Sequence, residues 1–93
     1  MQQAGAQLLV IECVPASLGK QVSASVDIPV IGIGAGAECD GQVLVMHDML
    51  GLGGKPPRFV ADFMQESDTI PGAFEAYVLA VREGRFPSSE HEY

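Results

Sequence analysis

One residue capable of acid–base chemistry sits where α/β proteins usually place their working groups. The segment Leu8–Pro15 reads LLVIECVP, an apolar run that closes on a carboxylate, Glu12. A run of this length, bounded by polar residues before and proline after, suits a strand buried on both faces. Side chains alternate along a strand, so Leu8, Val10 and Glu12 share one face and Leu9, Ile11 and Cys13 the other. A carboxylate at the carboxyl end of a buried parallel strand sits where α/β proteins usually place their chemistry. The plainer alternative is that Glu12 marks where the strand emerges into water. Other candidates are weaker. Gly32-Ile33-Gly34-Ala35-Gly36 could cradle a phosphate, or could let backbone approach closely. His47 and Asp48 are adjacent and would point apart in an extended loop, and no third ligand has suitable spacing. They read as loop hydrogen-bonding groups, and no metal site is expected within the chain. Cys13 and Cys39 match no metal or redox spacing, so both thiols are expected to be free, in a reducing, cytoplasmic setting. Glu90, His91 and Glu92 read as tail residues in solvent.

The elements that must position Glu12 follow from pattern. Ala4, Gly5 and Ala6 resemble the last turn of a helix with its glycine stop, so the start of the chain looks truncated. Ala16–Ser25 can form a helix with Leu18 and Val22 on one face. Val30–Ile33 is a second, β-branched run, and the two runs start 30 − 8 = 22 residues apart. That spacing, with a helix between, describes a βαβ crossover with parallel strands. Both strands then end on the same edge, making Glu12 and the glycine loop neighbours. Asp40 offers an N-cap for a helix through Met46, and Val43-Leu44-Val45-Met46 is apolar enough to be buried. Pro57–Met64 can be a short helix with Phe59, Val60, Phe63 and Met64 as its stripe. Asp68 or Thr69 can cap a last helix with Pro71 in its first turn and Gly84 at its stop. Its expected face is Ile70, Phe74, Tyr77, Val78 and Val81. The chain thus divides into two βα units with a glycine-rich loop (1–54), C-terminal helices (55–85) and a polar, acidic tail (86–93).

Composition narrows the function. The 93 residues are 47% apolar, enough for one small domain and too hydrophobic for disorder. No apolar run approaches the roughly 20 residues that span a bilayer. The net charge of −7 and five scattered basic residues argue against nucleic-acid and anionic-membrane partners. Two parallel strands cannot by themselves cover both faces of a sheet. Either further strands lie upstream or other copies of the chain supply them. The simplest expectation is an α/β fold in which these are the last two βα units of a (β/α)8 barrel of about 250 residues, incomplete as given.

The blocks AGAQLLVIECVP, IPVIGIGAG, DGQVLVMHDMLG and EGRFPSSEH resemble, in order and near-correct spacing, the C-terminal third of the ketopantoate hydroxymethyltransferase family. The resemblance runs from about Ala4 to about His91. It implies a (β/α)8 barrel, a magnesium ion, a tetrahydrofolate co-substrate and a homodecamer. It further implies transfer of a hydroxymethyl group from 5,10-methylenetetrahydrofolate to carbon 3 of 3-methyl-2-oxobutanoate, a step of pantothenate biosynthesis. In that chemistry carbon 3 first loses a proton, and a metal ion chelated by the 2-oxo acid stabilises the enolate. The family's proton acceptor matches Glu12, with partial burial expected to raise its pKa and the metal to oppose that shift. Ile33, Val43 and Val45 match the apolar wall around the substrate's branched tail, although core packing explains each equally well. The family's metal-binding carboxylates, substrate-contacting lysine and active-site histidine belong to blocks absent here. The 93 residues alone are therefore expected to bind no catalytic magnesium and to turn over nothing. Two other readings stay open: another Mg-dependent, enolate-forming barrel acting on 2-oxo acids or phosphoenolpyruvate, and a small self-associating α/β protein with no enzymatic role.

Overall fold

A computed structural model describes residues 2–93. Strand β1 (Leu9–Glu12), helix α1 (Ala16–Ser25) and strand β2 (Val30–Ile33) form the expected parallel crossover. The register pairs Leu9 with Val30 and carries Glu12 to Ile33. Ahead of β1, a 3-10 turn at Gln2–Ala4 stops at Gly5, whose φ of 102° is open to glycine without steric cost. β1 nevertheless lies at an edge of the sheet, and Leu8 and Val10 are 54% and 53% exposed. The burial expected on both of its faces is thus absent: no element among the described residues packs over this side. Such a bare apolar face is unusual for a lone domain.

Asp40 does not cap a helix. Its carboxylate accepts a hydrogen bond from the Val30 amide at 2.8 Å, and its own amide donates to the Val30 carbonyl at 2.9 Å. This fastening turns the chain into a third parallel strand, β3 (Gly41–Gln42), and gives the sheet order β1-β2-β3. The next stretch stays extended, so its side chains alternate. Leu44 is buried, whereas Val43, Val45 and Met46 are exposed, correcting the expectation that all four are inside. Helix α2 is a single turn, Met46–Met49.

The 55–62 segment is not helical. The helix expected over Pro57–Met64 is replaced by loop followed by a 3-10 turn at Phe63–Glu66, capped by the Asp62 carboxylate on the Met64 amide at 2.9 Å. Phe59, Val60 and Phe63 are still buried, the first two from the loop and Phe63 from the start of the 3-10 turn, not as a helical stripe. The Val60 amide donates to the Pro57 carbonyl at 3.1 Å, a single turn that the chain does not continue into a helix.

Helix α3 (Ile70–Arg82) has Thr69 as its N-cap, the Thr69 hydroxyl accepting from the Gly72 amide at 3.1 Å, and Gly84 just beyond its end at φ 74°. Its inward face is set by Ala73 and Ala80, both almost fully buried, with Phe74, Tyr77 and Val81 packed beside them. Ile70 and Val78, expected on that face, point outward. Alanines at this contact let the helix approach its neighbours more closely than bulkier residues would. The largest hydrophobic cluster joins Ile33, Leu44, Met49, Leu50, Phe59, Val60 and Phe63 to α3 and to Phe86. Phe63 meets Tyr77 and Phe86 edge-on, with ring centroids 5.3 and 5.4 Å apart.

The tail is not merely polar. Phe86 is buried in that cluster, and His91 packs against it with ring centroids 4.9 Å apart. The His91 Nδ1 accepts from the Ser88 amide at 3.1 Å, so this histidine is tucked in rather than solvated. Only Glu90 of the three is fully exposed; His91 and Glu92 are half-buried.

Tyr77 carries a buried hydroxyl with no partner among the described residues, and burial pushes its pKa up to about 12. Between the ordinary value of 10.0 and about 12, the unfolded chain loses this proton before the folded one does. Stability therefore falls as pH rises through that window. Tyr77→Phe is expected to leave the melting temperature at neutral pH unchanged or raised, and to flatten the alkaline loss. Thermal unfolding at pH 7 and across pH 10–12 checks this; a marked drop at pH 7 would show that the hydroxyl has a partner.

Candidate active site at the carboxyl edge of the sheet

Three strand ends converge on one edge. Glu12 closes β1 and pairs in register with Ile33, the last residue of β2. The amide of Val43, just past β3, donates to the Gly32 carbonyl at 3.0 Å, and Val45 is the N-cap residue of α2. The backbone thus brings Glu12, Ile33, Val43 and Val45 to the same side of the molecule. Their surroundings differ. Ile33 is packed into the hydrophobic cluster, whereas Val43 and Val45 are exposed.

Glu12 is exposed, correcting the expected partial burial between apolar strands, because nothing among the described residues covers its face of β1. It has no hydrogen-bond or ion-pair partner among the described residues. The residue after it is unusual. Cys13 holds φ at 53°, a left-handed conformation that non-glycine residues seldom adopt, while its amide donates to the Ile33 carbonyl at 2.9 Å. Strain of this kind gathers at functional positions, and here it turns the chain sharply immediately after the carboxylate.

The glycine loop next to Glu12 is built for close packing. A Cβ on Gly36 would lie 2.6 Å from that of Ala16, and one on Gly32 would lie 2.9 Å from the Cys39 Sγ. Gly34 combines φ of 70° with the ring of Phe59, which a Cβ would meet at 2.8 Å. Backbone approach therefore accounts for these glycines.

Sequence reasoning missed the far end of the chain. Tyr93 returns to this edge: its ring lies 6.3 Å from that of Phe59, and the Arg58 guanidinium carbon is 6.0 Å from its centroid. Its hydroxyl is raised above the ordinary tyrosine value by desolvation first and then by the Cys13 thiol, with Glu12 adding to the rise and Arg58 opposing it. The only hint in the sequence was an aromatic residue at the end of an otherwise polar tail.

His47 and Asp48 lie in the α2 turn, where the His47 carbonyl accepts from the Leu52 amide at 2.9 Å. Among the described residues no three His, Cys, Asp or Glu side chains converge as a metal site. The residues present thus do not assemble a magnesium ligand set. A surface groove of about 420 Å³ is lined by Phe74, Glu75, Val78, Leu79 and Arg82 on α3 and by none of the strand-end residues. It is not the site. No helix of the described residues is long and apolar enough to cross a membrane.

A parallel α/β unit that carries a carboxylate beside a glycine-rich loop at its strands' carboxyl edge belongs to the broad class of α/β proteins with strand-end sites. The particular family is decided by comparison. Residues 1–89 match the family described as ketopantoate hydroxymethyltransferase, and the chain belongs to that family. It is 59% identical over 92 residues to a 3-methyl-2-oxobutanoate hydroxymethyltransferase of Xanthomonas euvesicatoria pv. vesicatoria (strain 85-10), covering 97% of this chain and 34% of that protein. It is 57% identical over 95 aligned residues to 3-methyl-2-oxobutanoate hydroxymethyltransferase 2 of Pseudomonas aeruginosa (strain UCBPP-PA14), covering 100% of this chain and 36% of that protein. The chain spans about a third of the length of these curated relatives.

Because Glu12 is exposed and unpaired, Glu12→Gln is expected to change folding stability by no more than about 0.5 kcal/mol. Chemical denaturation of the two proteins checks this. A larger loss would show that the carboxylate supports the fold.

Proposed function

We propose that these residues form the base-bearing part of a hydroxymethyltransferase. It would move a hydroxymethyl group from 5,10-methylenetetrahydrofolate to carbon 3 of 3-methyl-2-oxobutanoate and yield 2-dehydropantoate. The observation that carries this reading is the position of Glu12: a free carboxylate at the carboxyl end of a parallel strand, in a chain that belongs to this family.

Carbon 3 of a 2-oxo acid is acidified by the adjacent carbonyl, and its proton must leave before the carbon can attack. Glu12 takes that proton as general base. The sharp turn at Cys13 and the pairing of Glu12 with Ile33 fix the carboxylate's anchor, leaving its oxygens free of competing partners. Val43 and Val45, exposed on the same edge, offer apolar surface to the branched methyl groups, with Ile33 behind them. The bare side of β1 supports a larger (β/α)8 barrel in which other strands cover Leu8 and Val10. The magnesium ion, the folate contacts, the cytoplasmic setting and the homodecameric assembly belong to the same proposal, with the metal's ligands outside these 93 residues.

The test is product formation by the whole protein that carries this chain, with Mg²⁺ and both substrates. Loss of a general base typically costs about 10²- to 10⁴-fold, so Glu12→Gln is expected to lower kcat by that order, and the isolated 93 residues are expected to form no product. A Glu12→Gln protein of unchanged kcat would remove Glu12 from the mechanism. Product from the isolated chain would overturn its role as part of a larger site.

A further inference from the structure

The proposed reactants are anions, whereas the chain carries a net charge of −7 and the base at its strand edge is itself a carboxylate. In the proposed reaction a magnesium ion offsets part of this repulsion, and a cation of this chain at the same edge would add to that effect. Of the five basic side chains, Lys20 is engaged by Glu38 at 3.4 Å and Arg85 by Glu83 at 2.7 Å. Lys55, Arg58 and Arg82 have no ion-pair partner among the described residues. Arg82 lines the outer groove of α3, and Lys55 lies in the exposed glycine-rich loop. Arg58 is placed differently.

Its position follows from a chain of contacts. Glu12 pairs with Ile33; Gly34 follows Ile33 and is covered by the Phe59 ring; Arg58 precedes Phe59. The guanidinium then rests 6.0 Å from the centroid of the Tyr93 ring, which in turn lies 6.3 Å from Phe59. A guanidinium over an aromatic face is partly oriented without losing its donors, which stay available to a planar, two-oxygen acceptor. We propose that Arg58, braced by Tyr93, is the carboxylate-recognition residue of the Glu12 site. Its ligand is a carboxylate of one of the two reactants, either the 2-oxo acid or the glutamyl part of the one-carbon donor. This inference rests on the function proposed above.

The experiment uses the whole protein and the variants Arg58→Gln, Arg58→Lys, Tyr93→Ala and Tyr93→Phe. Arg58 is exposed, so the first two are compatible with folding. Arg58→Gln is expected to raise one KM about tenfold with kcat nearly unchanged, as loss of a charge-assisted hydrogen bond does. Arg58→Lys should recover part of the loss. Tyr93→Ala should show a smaller rise in the same KM, and Tyr93→Phe none, because the ring and not the hydroxyl braces the guanidinium. Solvent-deuterium exchange into 3-methyl-2-oxobutanoate without the donor separates the sources. A KM rise there assigns the 2-oxo acid; a rise confined to methylenetetrahydrofolate in the complete reaction assigns the donor. Unchanged KM values in both arms, or a fall in kcat alone, overturn the proposal. Perturbation of the Tyr93 ring resonances on adding each reactant is read independently of turnover. A protein that responds there yet shows neither exchange nor transfer loses the proposed function while keeping the Arg58 contact; one that shows no ring response loses the contact.

Discussion

The structure depends on how closely other elements approach the backbone at the end of β2. Gly32, Gly34 and Gly36 leave the backbone there bare of side chains, and Cys39, Phe59 and Ala16 press against it from different segments. Helix α1 seats itself through Gly19 against the Ala35 carbonyl, with no room for a side chain between them. Leu18, the larger residue beside it, is left exposed on the outer side of that helix. A methyl group at any of these glycines would push apart the crossover helix, the loop bearing Arg58, or the turn leading to β3. This close packing sets where β1 ends, and therefore where Glu12 stands.

Polar fastenings complete the edge. Asp40 holds the start of β2 through both its carboxylate and its amide, so the segment after the glycine loop returns parallel to β2. Val43 and Val45 reach the edge only because of that return. The apolar cluster under Phe59 and Phe63 then anchors the loop and the tail, and through Phe86 and His91 the last residues are brought back over the strand ends. Charge acts on the Tyr93 hydroxyl in opposite senses: Arg58 lowers its pKa and Glu12 raises it.

The crossover was legible because its signals are local and strong. An apolar run, a helix of matching length and a β-branched run leave little choice, and Ala16–Ser25 and Val30–Ile33 follow the pattern residue for residue. Thr69, Pro71 and Gly84 likewise bound α3 through side-chain and backbone chemistry written in the sequence. The rest depends on distant partners. β3 has two residues, neither β-branched, and exists because Asp40 binds Val30 ten positions earlier. The inner face of α3 is chosen by what packs there, and two alanines outweigh Ile70 and Val78 because the contact is close. Of the candidate site, Glu12 stood out by its place at the end of an apolar run, and its role as base came only from the family resemblance. Arg58 and Tyr93 were not, since an arginine after two prolines and a terminal tyrosine carry no periodic signal, and only folding unites them.

The central claim is that Glu12 removes the proton from carbon 3. The most direct measurement follows deuterium entering that carbon of 3-methyl-2-oxobutanoate by NMR, in deuterated water with Mg²⁺, for the whole protein and its Glu12→Gln variant. Omitting the one-carbon donor isolates proton removal from every later step. The account predicts steady exchange in the parent protein and its collapse in a variant that remains folded. Equal exchange in both would contradict it and place the base elsewhere.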